Sequence, residues 1–213
     1  MTLLRERERE LVRQELSGLV NPVRLVYFTQ ELECEYCRET RQLLEEVAAL
    51  SDQISLEVYN FMLDRQRADS YGIDKIPATV VMGESDYGIR FYGIPSGYEF
   101  ASLLEAIRLV STGNTHLPED IVERVRGIQK PVNLQVFVTP TCPYCPRAVV
   151  SAFRFAYLNP NIQASMVEAI EFPHLASRYQ VYGVPKTVIN DREHIEGAVP
   201  ESYLLEAIER AVA

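Results

Sequence analysis

The chain contains 213 residues, of which 47% are hydrophobic and 24% are charged, so it has the apolar material for a folded core and not the composition of a disordered protein. This length corresponds to one large domain or two small ones. Asp and Glu number 30 against 21 Lys and Arg, and the net charge of −9 argues against nucleic acid or an anionic membrane surface as a partner.

Hydrophobic periodicity and turn residues give the order of elements along the first half of the chain. The alternating charges from Arg5 to Glu10 favour a solvated helix at its start. In chain order we predict a helix over residues 3–19, a strand over 23–29, a helix over 37–50, a strand over 54–59, a polar helix over 62–70, strands over 78–82 and 89–92, and a helix over 98–110.

The second half of the chain repeats this order. We predict a helix over residues 119–128, a strand over 134–138, a helix over 145–158, a strand over 162–167, a helix over 172–179, strands over 187–189 and 194–196, and a helix over 201–212. Each half is therefore an added helix followed by β-α-β-α-β-β-α. This order predicts an α/β fold in which a mixed central sheet is flanked by helices.

The N-terminal segment lacks the apolar stretch that a signal peptide needs, and no other segment has the ~20 apolar residues of a membrane span. We therefore expect a cytoplasmic protein with no membrane partner. Cysteines in that compartment seldom form structural disulfides, so their arrangement points to redox or metal chemistry.

The four cysteines form two Cys-x-x-Cys pairs, Cys34 with Cys37 and Cys142 with Cys145. The offset between the pairs, 142 − 34 = 108, also superposes identical residues elsewhere in the chain. These residues are Tyr36 and Tyr144, Ala48 and Ala156, Leu50 and Leu158, Ile54 and Ile162, Tyr71 and Tyr179, Pro77 and Pro185, and Thr79 and Thr187. Two tandem copies of one unit, residues 1–116 and 117–213, are the simplest interpretation.

Each cysteine pair lies where a strand gives way to a helix. The positive end of a helix stabilises a thiolate, so Cys34 and Cys142 are the expected nucleophiles. Cys37 and Cys145 follow almost one turn later, close enough to close a disulfide and more buried, and they are the expected resolving residues.

Two other uses of the cysteines stay open on this reasoning. A structural disulfide that closes a four-residue ring stabilises a fold by only about 1.9 kcal/mol, which makes it a poor crosslink. A zinc ribbon needs its second pair about 15 to 20 residues after the first, whereas here 142 − 37 − 1 = 104 residues intervene. His116, His174 and His194 are distant in sequence from both pairs, and a metal site would require the fold to bring one of them close.

The combination of these motifs resembles the thioredoxin superfamily. In both halves a proline, in Ile76-Pro77 and in Val184-Pro185, lies 43 residues after the first cysteine (77 − 34 and 185 − 142). The segment Cys142-Pro143-Tyr144-Cys145 is similar to a glutaredoxin active site. Two such units in tandem resemble the two-unit protein disulfide oxidoreductases of thermophilic archaea and bacteria, and this resemblance covers essentially the whole chain.

The resemblance implies an enzyme that reduces, forms or isomerises protein disulfides through two dithiol sites. The redox-active disulfides would be its sole cofactors, and its substrates would be proteins with thiols or disulfides. Electrons would come from a thioredoxin-reductase-like donor, because the sequence has no glycine-rich nucleotide-binding loop. Cytosolic disulfide chemistry on this scale is typical of thermophiles.

The resemblance also assigns residues beyond the cysteines. Thioredoxins place a cis proline opposite the active disulfide, where the preceding backbone pairs with an extended substrate. We transfer this substrate-binding role to Ile76 with Pro77 and to Val184 with Pro185. The buried carboxylate of thioredoxin, six residues before the first cysteine, is replaced here by Phe28 and by Val136, so a different proton acceptor or bulk water must serve the resolving cysteine.

The residues around the two cysteine pairs differ in charge. Glu31, Glu33 and Glu35 flank Cys34, and like charge raises the pKa of a thiol. Arg147 instead follows the second pair. We predict a lower nucleophile pKa and a more oxidising potential at the second site, unless the three glutamates point into water and are screened.

Two alternative functions remain at this point. The first is a dedicated dithiol relay to a peroxidase-type partner, as in the alkyl hydroperoxide reductase flavoproteins, whose N-terminal module also pairs two such units. That module typically keeps Cys-x-x-Cys in one half, whereas both halves have it here. The second alternative is a cysteine-ligated metal-binding or scaffold protein, which would retain metal irrespective of redox state.

Overall fold

The computed structural model describes residues 3–213 and contains the predicted elements in the predicted order. The first half of the chain comprises α1 (Glu6–Leu16), β1 (Val23–Thr29), α2 (Cys37–Ala48), β2 (Ile54–Asn60), α3 (Arg65–Ser70), β3 (Ala78–Met82), β4 (Ile89–Tyr92) and α4 (Glu99–Thr112). The second half comprises α5 (Glu119–Arg126), β5 (Val132–Val138), α6 (Cys145–Leu158), β6 (Ile162–Glu168), α7 (Pro173–Arg178), β7 (Lys186–Ile189), β8 (Glu193–Glu196) and α8 (Glu201–Val212).

The largest differences from the predicted bounds lie in α1, which is three residues shorter at each end than the predicted 3–19, and in α3, which begins at Arg65 and not at the predicted residue 62. The side chain of Asn60 accepts hydrogen bonds from the backbone N–H groups of Met62 and Leu63, at 3.0 and 2.9 Å. The carboxylate of Asp64 accepts one from the N–H of Asn60 at 2.7 Å. These side-chain bonds hold residues 60–64 in a turn, which competes with helix for the same backbone groups.

The strands of residues 3–213 form one eight-stranded sheet in the order β2-β1-β3-β4-β6-β5-β7-β8. Within each half the first two strands are parallel and the remaining pairs are antiparallel. The halves join through β4 and β6, which pair in parallel from Ile89 with Ala164 to Tyr92 with Val167. The two predicted sheets are therefore fused edge to edge, which neither hydrophobic pattern nor repeat indicated.

Both faces of this sheet are covered by packed side chains. The larger cluster includes residues of α1, α2, α4, α5, α6 and α8, and it crosses the junction between the halves. There Phe91 and Phe153 meet edge to face, with ring centroids 5.0 Å apart. The smaller cluster packs the opposite face beneath α3 and α7. Because one apolar core spans the junction, the two halves support each other.

Strand direction brings both cysteine pairs to the same end of the sheet. Strands β1 and β5 point the same way. The pairings of β1 with β3 and of β3 with β4 are antiparallel, whereas those of β4 with β6 and of β6 with β5 are parallel. The end of β1 lies beside the start of β3, with Phe28 opposite Ala78. In the second half Phe137 lies opposite Lys186. Each cysteine loop therefore faces the proline that precedes the neighbouring antiparallel strand.

Among residues 3–213 every helix is too short or too polar to cross a membrane.

Candidate active sites

The first site is built on the turn between β1 and α2. Cys34 and Cys37 form a disulfide with a Cα–Cα distance of 5.4 Å. Cys37 is the first residue of α2 and is 2% exposed, whereas Cys34 is half-buried in the preceding turn. The hydroxyl of Tyr27 donates a hydrogen bond to the carbonyl oxygen of Cys37 at 2.7 Å. This bond ties the buried cysteine to the sheet, while Cys34 keeps part of its surface exposed.

A groove runs beside this first disulfide. It has a volume of about 480 Å³ and is lined by Cys34, Cys37, Glu31, Arg38 and Asn60, among others. The neighbouring segments also expose apolar side chains, which are those of Leu32, Met62 and Leu63. A polypeptide could therefore make both polar and apolar contacts beside the first disulfide.

The second site has the same construction on the turn between β5 and α6. Cys142 and Cys145 form a disulfide with a Cα–Cα distance of 5.5 Å. Cys145 begins α6 and is fully buried, while Cys142 is 7% exposed. The predicted order of burial within each pair is thus confirmed at both sites. Tyr144, between the two cysteines, is largely exposed.

The prolines opposite the disulfides are both preceded by cis peptide bonds, Ile76–Pro77 and Val184–Pro185. This confirms the predicted isomer at both positions. The carbonyl oxygens of Pro77 and Pro185 accept hydrogen bonds from the N–H groups of Gly93 and Gly197, at 2.9 and 2.8 Å. Ile76 and Val184, the residues expected to face substrate, are half-buried.

The glutamates that the sequence places around Cys34 are solvent-exposed. Glu31, Glu33 and Glu35 all lie on the surface, and the difference in nucleophile pKa between the two sites stays a prediction. Two less obvious carboxylates lie closer to the core. They are those of Glu168 and Glu171, which come from the second half of the chain.

Glu168 and Glu171 lie at the junction between the halves. Glu168 ends β6 and is 3% exposed, and its carboxylate accepts hydrogen bonds from the N–H groups of Ile170 and Glu171, at 3.2 and 2.7 Å. Glu171 accepts one from the N–H of Ile94 at 2.7 Å through Oε1. Its Oε2 is buried and has no hydrogen-bond partner among residues 3–213. Burial raises the pKa of Glu171 to about 7.

A third buried carboxylate begins α4. Glu99 is 1% exposed, and its Oε2 accepts a hydrogen bond from the hydroxyl of Ser102 at 2.6 Å. Within the described residues its buried Oε1 has no hydrogen-bond partner. Burial raises the pKa of Glu99 to about 7. A carboxylate that is costly to ionise and incompletely bonded is typical of functional sites.

The helix that carries Glu99 packs against the second site. The N–H of Tyr98 donates to the carbonyl oxygen of Pro140 at 2.9 Å, just before the second cysteine loop. At the other end of α4, a Cβ on Gly113 would lie 2.9 Å from the hydroxyl of Tyr157 in α6. Helices α4 and α6 therefore run side by side with their N-termini level, which places Glu99 beside the first turn of α6.

Two of the histidines make their ring contacts with aromatic side chains and not with the sulfurs. The rings of His174 and His194 lie against Phe172 and Tyr179, each with centroids 6.3 Å apart. Over residues 3–213, no cluster of three or more His, Cys, Asp and Glu side chains is arranged to hold a metal ion.

Fold and sites together define a tandem thioredoxin-fold protein with two dithiol centres. Residues 26–105 and 132–210 each match the thioredoxin domain family, and the chain belongs to that family. This confirms the expected fold class and the resemblance to two-unit proteins. The exact division at residues 116 and 117 stays a prediction.

Solved structures resemble the whole chain. A protein disulfide oxidoreductase from Aeropyrum pernix has a TM-score of 0.93 and 30% identity, covering 99% of this chain and 94% of that one. A domain of alkylhydroperoxide reductase from Enterococcus faecalis has a TM-score of 0.90 and 29% identity, covering 96% of this chain and 99% of that one.

Curated relatives are longer than this chain. An alkyl hydroperoxide reductase component of Pseudomonas aeruginosa is 28% identical over 176 residues, which is 83% of this chain and 32% of that protein. The chain thus spans about a third of the length of the curated relatives it matches.

Proposed function

We propose that the protein is a thiol-disulfide oxidoreductase that reduces, forms or isomerises protein disulfides at two dithiol sites. The observation that carries this proposal is the repeated pairing of a buried helix-starting cysteine with a more accessible partner three residues earlier, facing a proline loop. In such a site the more accessible sulfur reacts with the substrate first, and the buried sulfur reacts in the second step.

The reductive reaction proceeds in two exchanges at either site. The thiolate of Cys34 or Cys142 attacks a substrate disulfide, and the first substrate sulfur leaves as a thiolate. The thiol of Cys37 or Cys145 then loses its proton and attacks the mixed disulfide. This step releases the second substrate thiolate and closes the enzyme disulfide. Oxidation of a substrate dithiol is the reverse sequence.

Substrate binding falls to the residues before and at the two prolines. An extended segment would lie across Ile76 and Pro77 at the first site and across Val184 and Pro185 at the second. The accessible backbone of a strand end favours such pairing with an extended chain. The exposed apolar side chains next to the first disulfide support a polypeptide as substrate.

Glu99 is proposed as the proton acceptor for Cys145. Its place beside the first turn of α6, its unpartnered Oε1 and its pKa of about 7 all support this role. The carboxylate comes from the first half of the chain and not from the strand that precedes the cysteines. Phe28 and Val136, at the strand positions that carry the carboxylate in thioredoxin, are both fully buried and apolar.

The two disulfides are the proposed redox groups, and a separate thioredoxin-reductase-like protein is the proposed electron donor. We place this exchange in the cytoplasm of a thermophile, where dithiol proteins of this type meet protein substrates.

A dithiol relay to a peroxidase-type partner is the second candidate. It is favoured by the similarity of almost the entire chain to a domain of alkylhydroperoxide reductase. A relay serves one partner, whereas a general enzyme accepts unrelated disulfides.

Reduction of insulin by dithiothreitol separates the two candidates. The assay compares the parent with Cys34→Ser/Cys37→Ser and with Cys142→Ser/Cys145→Ser. Faster insulin reduction by the parent, lost mainly in the second variant, is the result expected of a general oxidoreductase whose C-terminal site leads. A parent that leaves the uncatalysed rate unchanged contradicts that function and favours the relay.

A further inference from the structure

The junction between the halves brings a segment of the second half against the first site. A Cβ built on Gly93 would lie 2.6 Å from the Cβ of Glu168 and 2.8 Å from Oε1 of Glu171. The N–H of Gly93 in turn donates to the carbonyl oxygen of Pro77. Gly93 thus lies between the loop after β6 and Pro77, the proline opposite Cys34, and it has no side chain that would hold them apart.

Glu171 also interacts with groups on the cysteine side of this site. Burial raises the pKa of Tyr27 to about 12, and the charge of Glu171 adds to this effect. The hydroxyl of Tyr27 donates to the carbonyl of Cys37. The pKa of Tyr36 is raised mainly by Glu35, with further contributions that include Glu171. The charge of Glu171 thus acts on two tyrosines that flank the resolving cysteine, Tyr36 in sequence and Tyr27 through its hydrogen bond.

We propose that Glu171 is the proton-exchanging residue of the first dithiol site, supplied by the second half of the chain. The proposal rests on the proposed thiol-disulfide exchange. Its geometrical basis is the position of Glu171 against Gly93 and Ile94, beside the proline of this site, together with its buried and unpartnered Oε2. An oxygen of this kind is ready to take a proton.

The proposed step conserves atoms and electrons. Cys34 is bonded to a substrate sulfur, and Cys37 is a thiol. The proton of Cys37 passes to the carboxylate of Glu171 while the Cys37 sulfur attacks the sulfur of Cys34. The Cys34–Cys37 bond forms, the bond from Cys34 to the substrate breaks, and the electron pair leaves with the substrate thiolate. The enzyme dithiol is oxidised as the substrate disulfide is reduced.

The groups around Glu171 fix the pH at which it accepts a proton. Burial is the main cause of its raised pKa, the N–H of Ile94 opposes it, and the carboxylates of Glu168 and Glu35 add to it. Tyr27 is neutral near pH 7, because the pKa of a phenol is ordinarily 10 and burial raises it here to about 12. Glu171 is therefore mostly protonated below pH 7 and becomes a base above it.

A purely electrostatic role for Glu171 predicts the opposite effect of its removal. A carboxylate that only repels negative charge raises the pKa of Cys37, so its neutralisation would speed the resolving step. Loss of a proton acceptor slows that step instead. The sign of the change therefore identifies the role.

The test uses the full chain with Cys142→Ser/Cys145→Ser, so that only the first dithiol reacts. Stopped-flow reaction of this reduced parent with Ellman's reagent, an aryl disulfide, releases one chromophore when Cys34 attacks and a second when Cys37 resolves. We expect Glu171→Gln to slow the second release by about tenfold or more above pH 7 and to remove its pH step near 7. The first release should change less than about twofold, within ordinary surface effects.

Two further variants control for structure. Glu171→Asp keeps a titratable group and should retain the pH step, with a partial recovery of rate. Glu84→Gln changes an exposed carboxylate between β3 and β4 and should match the parent. The side-chain oxygen of Gln can still accept the hydrogen bond from the N–H of Ile94. The Glu171→Gln variant should therefore keep its fold, which thermal unfolding checks.

A second release in Glu171→Gln that is as fast as in the parent, with the same pH step, would overturn the role of Glu171. A faster release would overturn it in favour of repulsion alone. A parent that releases no second chromophore would instead contradict thiol-disulfide exchange at the first site, so the two failures are distinguishable.

Discussion

Replacing Glu99 by Gln should change how the stability of the protein depends on pH. The carboxyl is 1% exposed, and burial raises its pKa from 4.5 to about 7. Between these two values the unfolded chain has lost the proton while the folded chain keeps it. The free energy of unfolding therefore falls as the pH rises towards 7, and above that pH this carboxyl causes no further change.

The size of this effect follows from the two pKa values. For one carboxyl that titrates at 4.5 when unfolded and at about 7 when folded, the linkage relation gives a loss of about 2.5 kcal/mol between pH 5 and pH 8. Gln does not titrate, so the variant escapes this loss. Its unfolding free energy relative to the parent should rise by about that amount over the same interval.

Equilibrium unfolding in urea measures this difference, with both proteins in their oxidised form at pH 5 and at pH 8. Other titrating groups, including Glu171, contribute alike to parent and variant and cancel in the comparison. Any constant cost of burying the Gln amide cancels as well, since it is present at both pH values. A difference between the two proteins that is the same at pH 5 and pH 8 would refute the reasoning about Glu99.

Three further results are expected. Gly97→Ala should destabilise the protein by about 2 kcal/mol more than Gly72→Ala in urea unfolding. Both glycines have φ above +60°, but only at Gly97 would a Cβ collide with the carbonyl oxygen of Pro140. Equal losses of stability in the two variants would contradict this reasoning. Tyr27→Phe removes the hydrogen bond to the carbonyl of Cys37 and should cost about 1 kcal/mol in the same assay, and no loss would show that water replaces the bond. The nucleophile of the second site should react with iodoacetamide at a lower pH than that of the first in the two double-serine variants, since Glu31, Glu33 and Glu35 flank Cys34 whereas Arg147 follows the second pair; the reverse order would contradict the predicted asymmetry.

Much of the fold could be predicted because the signals are local. The cysteine pairs, the prolines 43 residues after them and the hydrophobic period all lie within single segments of the chain. Helix α6, for example, has its predicted bounds, Cys145–Leu158. The start of α3 differs because the side chain of Asn60 holds a turn there, and such competition depends on geometry that a propensity does not contain.

The burial of the Glu99 and Glu171 carboxylates could not be predicted from the sequence. A glutamate at a helix start or in a loop usually lies in water, and Glu99 and Glu171 occupy such positions. Their burial depends on the parallel pairing of β4 with β6, which packs the halves together. That pairing joins residues about 75 positions apart (164 − 89), and no local pattern distinguishes it from two separate sheets.

The pairing of β4 with β6 also determines how many strand edges the protein leaves unpaired. Two separate four-stranded sheets would present four edges, whereas the fused sheet ends at β2 and β8 alone within residues 3–213. All four residues of β4 are buried, as are most of those in β6. Either half produced alone would expose one of these apolar strands as a template for pairing with other chains. The duplicated chain is therefore protected against self-association by the same contact that brings Glu171 to the first site.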